Sequence, residues 1–453
     1  MVVGVSPVMA RQLFLKPKMP KGTKILLFSS CSSSLRNKGD YAMLLGMVQQ
    51  LSTLQPGAEL ILYARGEELF QVQGTRGFWS PERYFSDLTK GHDAQGVVGS
   101  TWARLRVLAR GLRFLGHFAV FRLTGPRFLR NSSYVGFFSH MLDARAVVLT
   151  GGGYLNSLWW LYGLYAKAFV IILSRFLGIP VLLTGQSIGP FTNALDRFVV
   201  RLVLNCATVI GLREEQSREV LKGFGRSISS KIVITGDDAL WLQRAEKAEL
   251  QGLFMKENIP LDTELVGVNL RDSSKYGNNY QQPKFEKFAK VLDHIVAVGN
   301  RHIVFIPISY HGGDDDRKSA AEVVDRMKYS ERVTIVKGEY GPSEIKALIG
   351  SMYCVIGTSY HFSLFALSQS VPAVGIYQDS YYELKLKGLF NLYGLDRYAV
   401  DVSCEEIEVL MAKTQEMLLH RDDVVSELRQ RNEQIYTNVM SVRESFQNIL
   451  LGA

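Results

Sequence analysis

The chain has 453 residues, of which 47% are hydrophobic and 21% are charged. This composition is that of a globular protein and excludes an intrinsically disordered one, and the length exceeds that of one ordinary domain core. The formal net charge is +9, and residues 1–150 carry 19 Lys and Arg against 8 Asp and Glu. The cysteines form no CxxC pair, which argues against structural zinc or a disulfide framework and for a reducing compartment.

Residues 1–22 lack the apolar core and cleavage site of a secretory signal, so we interpret them as an N-terminal extension. Residues 23–255 then alternate apolar runs with amphipathic segments, which predicts a first lobe built on a parallel α/β sheet. Its predicted strands are Lys24–Ser29, Glu59–Tyr63, Ala146–Thr150, Val181–Thr184, Thr208–Leu212 and Lys231–Ile234. The polar stretch 243–262 is predicted to be the interdomain linker.

The glycine and polar residues of this lobe follow the carboxyl ends of predicted strands, where open α/β sheets bind ligands. Asp40, at the start of the first helix, can cap that helix or accept a substrate hydroxyl. Gly151–Gly153 is similar to a phosphate or sugar loop, but it lacks the spacing of a nucleotide or dinucleotide motif. Arg213 directly follows a strand, and either binds a carboxylate or phosphate or pairs with Glu214 or Glu215.

A basic insert at about residues 94–142 contains no acidic residue. Arginines are interleaved in it with leucine and aromatic residues: Arg104, Arg106, Arg110, Arg113, Arg122, Arg127 and Arg130. This pattern suits a helix in peripheral contact with an anionic membrane, with Arg106, Arg110 and Arg113 on the docking face. It also suits a helix that packs its apolar side on the domain and leaves its arginines in water. No groove-reading motif accompanies the charge, so nucleic acid is not an expected partner.

The apolar tract Leu158–Leu173 is short for a membrane span and is interrupted by Lys167. We predict a buried helix there and no transmembrane helix anywhere in the chain.

A second lobe, residues 262–400, repeats the alternation, and residues 401–453 are predicted to be terminal helices. Its predicted strands are Leu265–Leu270, Ile303–Ile306, Val333–Val336, Tyr353–Ile356 and Ala373–Tyr377. His361 lies in the first turn of a helix that follows a strand, so it either caps that helix or serves a ligand site. Arg271 follows a strand in the same way. The acidic cluster Asp314–Asp316 is predicted to be a solvated turn or a helix cap, with acceptor binding as the alternative.

An ordered series of short motifs from about Lys24 to Tyr398 resembles the polysaccharide pyruvyl transferases. The series is Asn37-x-Gly39-Asp40, Gly151–Gly153, Gly185-x-Ser187-x-Gly189-Pro190, Arg213-x3-Ser217, Asp237, Arg271, His361 with Val371-Pro372, and Lys385. The resemblance implies an α/β, GT-B-like fold of two Rossmann-type lobes whose parallel sheets face a central cleft. It also implies a transferase that moves pyruvate from phosphoenolpyruvate to a sugar of a cell-surface polysaccharide or its precursor, forming a ketal.

The resemblance further assigns roles to residues of this chain. His361 would be catalytic, and the donor would be bound by Arg213, Arg271, Ser359 and Lys385. The acceptor, a free or lipid-linked glycan, would be bound by Asn37, Asp40, Gly152, Gly153 and Ser187. No metal or cofactor is implied beyond phosphoenolpyruvate as a substrate, and the expected location is the cytoplasm, either free or at the inner face of the cell membrane.

One departure from the family pattern bears on the donor. Members usually carry Arg-Leu-His where this chain has Ser359-Tyr360-His361. Either Arg271, Arg213 or Lys385 supplies the missing charge, or the donor differs. Two alternative functions therefore stay open: a GT-B glycosyltransferase that uses a nucleotide sugar, and a degenerate, non-catalytic glycan-binding paralogue.

Overall fold

A computed structural model describes residues 24–31, 34–86, 101–126, 134–271, 285–311, 313–378, 380–402 and 407–451. The predicted extension 1–22, residues 94–100 and 127–133 of the basic insert (with Arg127 and Arg130), and Gly312 lie outside the described residues. The chain divides into two compact units. The first comprises the described parts of Met1–Ser34, Met47–Asp238 and Met440–Ala453, and the second comprises Leu35–Gly46 and Ala239–Val439. Residues 35–46, which were predicted within the first lobe, therefore belong to the second unit.

The first unit is built on an eight-stranded parallel sheet. Seven strands lie in the order β3-β2-β1-β4-β6-β7-β8, and β5 pairs with β6. Their bounds are β1 (Lys24–Phe28), β2 (Glu59–Ala64), β3 (Arg76–Trp79), β4 (Ala144–Leu149), β5 (Gly152–Leu155), β6 (Val181–Ile188), β7 (Val209–Leu212) and β8 (Ile232–Ile234). The central strands are continuous apolar runs because helices cover both faces of a parallel sheet. Two of the glycines predicted to form a loop, Gly152 and Gly153, begin strand β5 instead.

Helices of this unit pack on the sheet through one apolar core. They are Arg83–Ser86, Thr101–Thr124, Val135–Leu142, Ala166–Leu177, Ala194–Cys206, Glu215–Val220 and Arg226–Ser229. The predicted helix in the tract 158–173 consists of a π-helical turn, Trp160–Tyr165, followed directly by Ala166–Leu177. No helix among the described residues has the length and apolar character needed to cross a bilayer.

The basic insert forms the helix Thr101–Thr124, which buries Val107, Phe114 and Phe121 in the core of the first unit. The alternative in which this helix packs on the domain predicted that all of its arginines lie in water. For Arg104 that prediction is wrong. Arg104 is buried and its Nε lies 2.8 Å from Asp196 Oδ1, because an arginine taken out of water needs a carboxylate partner.

The second unit contains a six-stranded parallel sheet in the order β13-β10-β9-β14-β15-β16, and a small antiparallel pair, β11 and β12. The bounds are β9 (Leu265–Asn269), β10 (His302–Phe305), β11 (Tyr310–His311), β12 (Asp314–Asp315), β13 (Val333–Ile335), β14 (Cys354–Gly357), β15 (Ala373–Tyr377) and β16 (Ala399–Asp401). The predicted strands match these to within about two residues at each end. Strand β16 was not predicted.

Helices of the second unit are Lys247–Glu257, Phe285–Gly299, Asp316–Val324, Pro342–Gly350, Tyr360–Leu367, Ser380–Leu392 and Ile407–Leu419. The stretch 243–262, predicted as the interdomain linker, thus contains a helix of this unit. The helices Lys38–Leu54 and Arg421–Leu451 each contribute residues to both units.

Both large sheets reverse their order at the first strand. In the first unit the chain builds β1, β2 and β3 in one direction and then returns to place β4 on the other side of β1. In the second unit, β14 lies beside β9 in the same way. The gap between helices at such a reversal opens at the carboxyl ends of the two central strands, where α/β proteins bind ligands.

Candidate functional site

In the second unit, the predicted site residues gather at the reversal between β9 and β14. Arg271 lies just beyond the end of β9, and its backbone N–H donates to Thr358 Oγ1 at 2.8 Å, just beyond the end of β14. The two strand ends are therefore connected directly. Ser359 and His361 follow Thr358 within three residues, so they enter the same region.

The side chain of Arg271 is held by Asp314 of β12. Its Nε lies 3.0 Å from Asp314 Oδ2, and a second guanidinium nitrogen donates to the same oxygen. Burial opposes the charge of Arg271, but the hydrogen bond to Asp314, the nearby Tyr382 and Asp316 together raise its pKa. The guanidinium is therefore a fixed cation, with about a fifth of its side chain in contact with solvent.

The acidic cluster is not the solvated turn that the sequence predicted. Asp316 is buried and accepts hydrogen bonds from the backbone N–H of Ile308 and Ser309 and from Asn269 Nδ2. Burial raises its pKa to about 6. Asp315 caps the helix Asp316–Val324, as the helix-cap alternative predicted, by accepting from the backbone N–H of Arg317. The three carboxylates thus have three separate structural roles.

His361 is the second residue of the helix Tyr360–Leu367, and Ser359 is the N-cap residue. The Ser359 side chain makes no capping hydrogen bond and is buried. The imidazole of His361 is half-buried, and it contacts the ring of Tyr360 edge-on with 5.2 Å between ring centroids. The N-cap position is thus occupied by Ser359 and not by His361, and the ligand-site interpretation of His361 stays a prediction.

The Asn37-x-Gly39-Asp40 motif lies against this histidine. Asn37 pairs with Ser309 in an isolated antiparallel bridge, and the Lys38 backbone N–H donates to the Ile308 carbonyl. A Cβ atom added at Gly39 would overlap Nδ1 and Cγ of His361. Only glycine leaves room for the imidazole at this position.

The two polar residues of the same motif have different roles. Asn37 Oδ1 accepts from the backbone N–H of Gly39 and of Asp40, at 3.1 and 3.2 Å, so Asn37 caps the helix. The prediction that Asp40 caps it is therefore wrong. The half-buried carboxylate of Asp40 lies in the first turn, where a substrate hydroxyl remains the other predicted partner.

Lys385 lies in the helix Ser380–Leu392, which follows β15, the strand next to β14. Tyr382, one turn earlier on the same face of this helix, interacts with the charge of Arg271. The helix that carries Lys385 therefore approaches Arg271 through Tyr382, and a role of Lys385 in donor binding stays a prediction.

In the first unit, two of the predicted acceptor residues, Gly152 and Gly153, follow β4 at the reversal between β1 and β4. Thr150, at the end of β4, donates through its hydroxyl to Ser29 Oγ at 3.0 Å, at the end of β1. The Gly151 backbone N–H and the Thr184 hydroxyl both donate to Asp238 Oδ2, at 2.6 Å each. Burial raises the pKa of Asp238 to about 7, although these two bonds favour its charged form.

The two other predicted residues of the first unit are bound within the protein. Arg213 is almost fully buried, and its Nε lies 2.9 Å from Asp237 Oδ2. The Ser187 hydroxyl donates to Glu214 Oε2 at 3.0 Å. Arg213 belongs to the first unit and the remaining donor candidates belong to the second.

Sequence reasoning missed two residues of this region. Thr358 connects β14 to the backbone of Arg271, and Asp314 holds the Arg271 guanidinium. Thr358 gave a signal as the first polar residue after a buried strand, and Asp314 as part of an acidic cluster. Within the part of the chain that the structure describes, no group of three or more His, Cys, Asp or Glu residues could hold a metal ion. A cavity lined by Met352, Val371 and Arg421 lies at the opposite, amino end of β14 and β15.

Comparison with solved structures defines the class of fold. The chain is similar to UDP-GlcNAc 2-epimerase from Neisseria meningitidis, with 12% identity, a TM-score of 0.57, and 95% of this chain and 100% of that chain covered. A glycosyltransferase from Rickettsia africae matches at 9% identity and a TM-score of 0.55, with 95% and 99% covered. UDP-GlcNAc 2-epimerase from Methanocaldococcus jannaschii matches at 13% identity and 0.52, with 87% and 92% covered. The fold is therefore GT-B-like.

The sequence itself defines the family. The polysaccharide pyruvyl transferase model matches residues 37–380, a range that begins at Asn37 and includes Gly39, Arg271 and His361. The chain belongs to this family, and it is a transferase that acts in polysaccharide modification.

Proposed function

We propose that the chain transfers pyruvate from phosphoenolpyruvate to two hydroxyls of a sugar in a cell-surface polysaccharide or its precursor, forming a ketal. The observation that carries the proposal is the grouping at the reversal of the second sheet. A fixed arginine follows β9 there and a histidine lies at the start of the helix that follows the neighbouring strand β14, while a lysine lies in the helix that follows β15. The two cations suit the binding of a small anion, and the histidine suits its protonation.

The chemistry assigns one task to each group. His361 donates a proton to the methylene carbon of phosphoenolpyruvate, which leaves positive charge on the neighbouring carbon. The first sugar hydroxyl bonds to that carbon and returns a proton to His361. The bond to the phosphate oxygen then breaks, and the second hydroxyl closes the ketal while its proton leaves with the phosphate. Histidine suits both transfers because its ordinary pKa lies near neutrality.

Arginine and lysine would bind the anionic donor. Arg271 presents a guanidinium that Asp314 already orients, so little entropy is lost when it binds a carboxylate or phosphate. Lys385 would add charge to the same anion and offset the charge that grows on the departing phosphate. Ser359 stands where the family usually has arginine, so these two cations would take over that charge. Arg213 remains a proposed donor residue only if its pair with Asp237 opens.

A binding panel and a turnover assay test the proposal together. Phosphoenolpyruvate should raise the melting temperature of the protein, whereas UDP and GDP should not. With an acceptor glycan, phosphate release should match ketal formation one to one, and His361→Ala should lower turnover about 10²-fold or more while leaving the melting temperature unchanged. Gln415→Ala, an exposed helical substitution in the same unit, is a control for handling and folding.

Stabilisation by UDP or GDP and not by phosphoenolpyruvate would instead support a nucleotide-sugar glycosyltransferase. The similarity of the fold to UDP-GlcNAc 2-epimerases and to a glycosyltransferase is the observation that favours this second candidate. Normal turnover in the His361→Ala variant would remove His361 from the mechanism.

A further inference from the structure

A stripe of exposed apolar side chains runs along the helix Thr101–Thr124 of the first unit. Trp102 is 74% exposed and Leu112 is 68% exposed. The stripe comprises Trp102, Leu105, Leu112, Val120 and Leu123. Their spacings of three, seven, eight and three residues place them on one side of a helix. The opposite side already supplies the core contacts that hold the helix to the unit, so packing within the unit does not explain the stripe.

Exposed arginines accompany this stripe. Arg106, Arg113 and Arg122 are exposed, whereas Arg104 pairs with Asp196 and Arg110 donates to the Tyr84 carbonyl at 3.2 Å. Arg110, which the sequence placed on a docking face, is thus partly engaged. Between Asp93 and Glu214 the sequence has two acidic residues, Asp143 and Asp196. Asp196 is buried and paired with Arg104, so it does not offset the positive charge of the exposed arginines.

A neighbouring helix has the same character. In the helix Ala194–Cys206 the exposed residues Phe198 and Leu202 lie four residues apart, and each directly follows an exposed arginine, Arg197 or Arg201. Both this helix and Thr101–Thr124 contact the helix Ala166–Leu177, whose last turn carries Phe176 at 60% exposure. The combination of apolar and cationic side chains therefore extends over adjacent helices of one unit.

We propose that this basic apolar face, the exposed side chains of Thr101–Thr124 with those of Ala194–Cys206, docks on the surface of an anionic lipid bilayer. Tryptophan and leucine side chains enter the boundary between headgroups and acyl chains, while arginines contact lipid phosphates. Charge complementarity selects this partner. A second copy of the chain seated on the same face would bring arginines against arginines, which repel. The proposal is independent of the reaction proposed above.

Co-sedimentation of the full chain with vesicles tests the docking. The probes are vesicles of phosphatidylglycerol mixed with phosphatidylcholine, and vesicles of phosphatidylcholine alone. Binding is expected to the anionic vesicles at low salt and to weaken at roughly 0.5 M salt, where the Debye length falls below about 5 Å. Each arginine near such a surface contributes about 1 kcal/mol. The double variant Arg106→Gln/Arg113→Gln should therefore bind about 30-fold more weakly.

Two further variants identify the face. Arg244→Gln/Lys247→Gln removes the same charge from exposed positions of the second unit and should bind like the wild type. Trp102→Ala/Leu112→Ala should bind at least about tenfold more weakly at either salt concentration, because apolar insertion is lost. Equal losses of vesicle affinity in Arg106→Gln/Arg113→Gln and in Arg244→Gln/Lys247→Gln would overturn the proposal, because attraction by net charge alone would then explain the binding.

Light scattering tests the competing possibility, that a second copy of the chain covers this face. A stable dimer that Trp102→Ala/Leu112→Ala dissociates, without vesicle binding by either protein, would show that a second copy covers the face and would overturn the proposal. A wild-type protein that binds neither vesicle at low salt would overturn it as well.

Discussion

At the scale of single residues, the absence of a side chain at Gly39 shapes the candidate site. Gly39 has no side chain, and the imidazole of His361 occupies the space that a side chain would need. The capping bonds from Gly39 and Asp40 to Asn37 fix this backbone. The motif at residues 37–40 therefore packs against the histidine, while the acceptor contacts that the family resemblance implied for Asn37 and Asp40 stay a prediction.

Gly39→Ala should impair catalysis without unfolding the protein. The added methyl group has to displace the imidazole, and a displacement of about 1 Å can cost on the order of 10²-fold in rate. The helix itself gains slightly, since alanine is the better helix former. We expect kcat to fall by about 10- to 100-fold with the melting temperature within a few degrees of that of the wild type.

Gly252→Ala is the matched control for this variant. Gly252 also lies in a helix of the second unit, and an added Cβ meets nothing within 4 Å there. Its kcat should equal that of the wild type. If Gly39→Ala is as active as Gly252→Ala, the imidazole works in catalysis from a position other than the one beside Gly39.

At the scale of elements, the two arginines that follow strands have different surroundings. Arg271 keeps part of its side chain in contact with solvent and is oriented by Asp314. Arg213 is buried with Asp237. The sequence placed both at strand ends and predicted that both bind the donor. Their difference in burial predicts different roles. Removing Arg213 would leave the buried charge of Asp237 uncompensated, so its substitution should affect stability first.

Arg271→Gln should weaken phosphoenolpyruvate binding by roughly 1.5–3 kcal/mol, the range for a charge-assisted contact. Titration calorimetry measures this loss. Arg317→Gln removes an arginine paired with Asp315 in the same part of the unit and should bind phosphoenolpyruvate normally.

The companion variant Arg213→Gln should instead lower the free energy of unfolding by about 3–5 kcal/mol. If it keeps its stability and loses phosphoenolpyruvate affinity, Arg213 is a donor residue as the sequence predicted, and the distinction between a structural Arg213 and a donor-binding Arg271 is wrong.

The elements themselves were largely predictable, because buried parallel strands are uninterrupted apolar runs; Ala373–Tyr377 was predicted with its observed bounds. Two kinds of feature were not. The helix Lys247–Glu257 has only two buried residues, Leu253 and Phe254, so its polar sequence resembled a linker. The contact of Gly39 with His361 joins residues far apart in the chain, and no local pattern encodes such a contact. The burial of Asp316 likewise depends on backbone donors that only the folded chain brings to it.

At the scale of the whole molecule, the described residues of each unit include one buried carboxyl group with a raised pKa. Asp238, in the first unit, connects Gly151 to Thr184 and has a pKa of about 7. Asp316, in the second unit, connects β9 to the loop after β10 and has a pKa of about 6. Both values exceed that of an unfolded aspartate, near 4. The folded protein therefore binds more protons than the unfolded chain between these limits.

This difference in proton binding fixes the sign of the pH dependence. Wherever the folded state binds more protons, the free energy of unfolding falls as pH rises. The contribution of Asp238 should be fully present below about pH 4 and lost progressively up to about pH 7, by at most on the order of 4 kcal/mol. The contribution of Asp316 should be lost by about pH 6.

Asparagine variants isolate each contribution, because asparagine keeps an acceptor oxygen and does not titrate. Calorimetric melting from pH 4.5 to 8 gives the free energy of unfolding of the wild type and of Asp238→Asn. The free energy of the wild type should fall relative to that of the variant as pH rises, and the difference between them should become constant above about pH 7. The same comparison for Asp316→Asn should become constant earlier, near pH 6. A difference that instead grows in favour of the wild type with rising pH would mean that the carboxylate is stabilised in its charged form, and that burial does not dominate at that position.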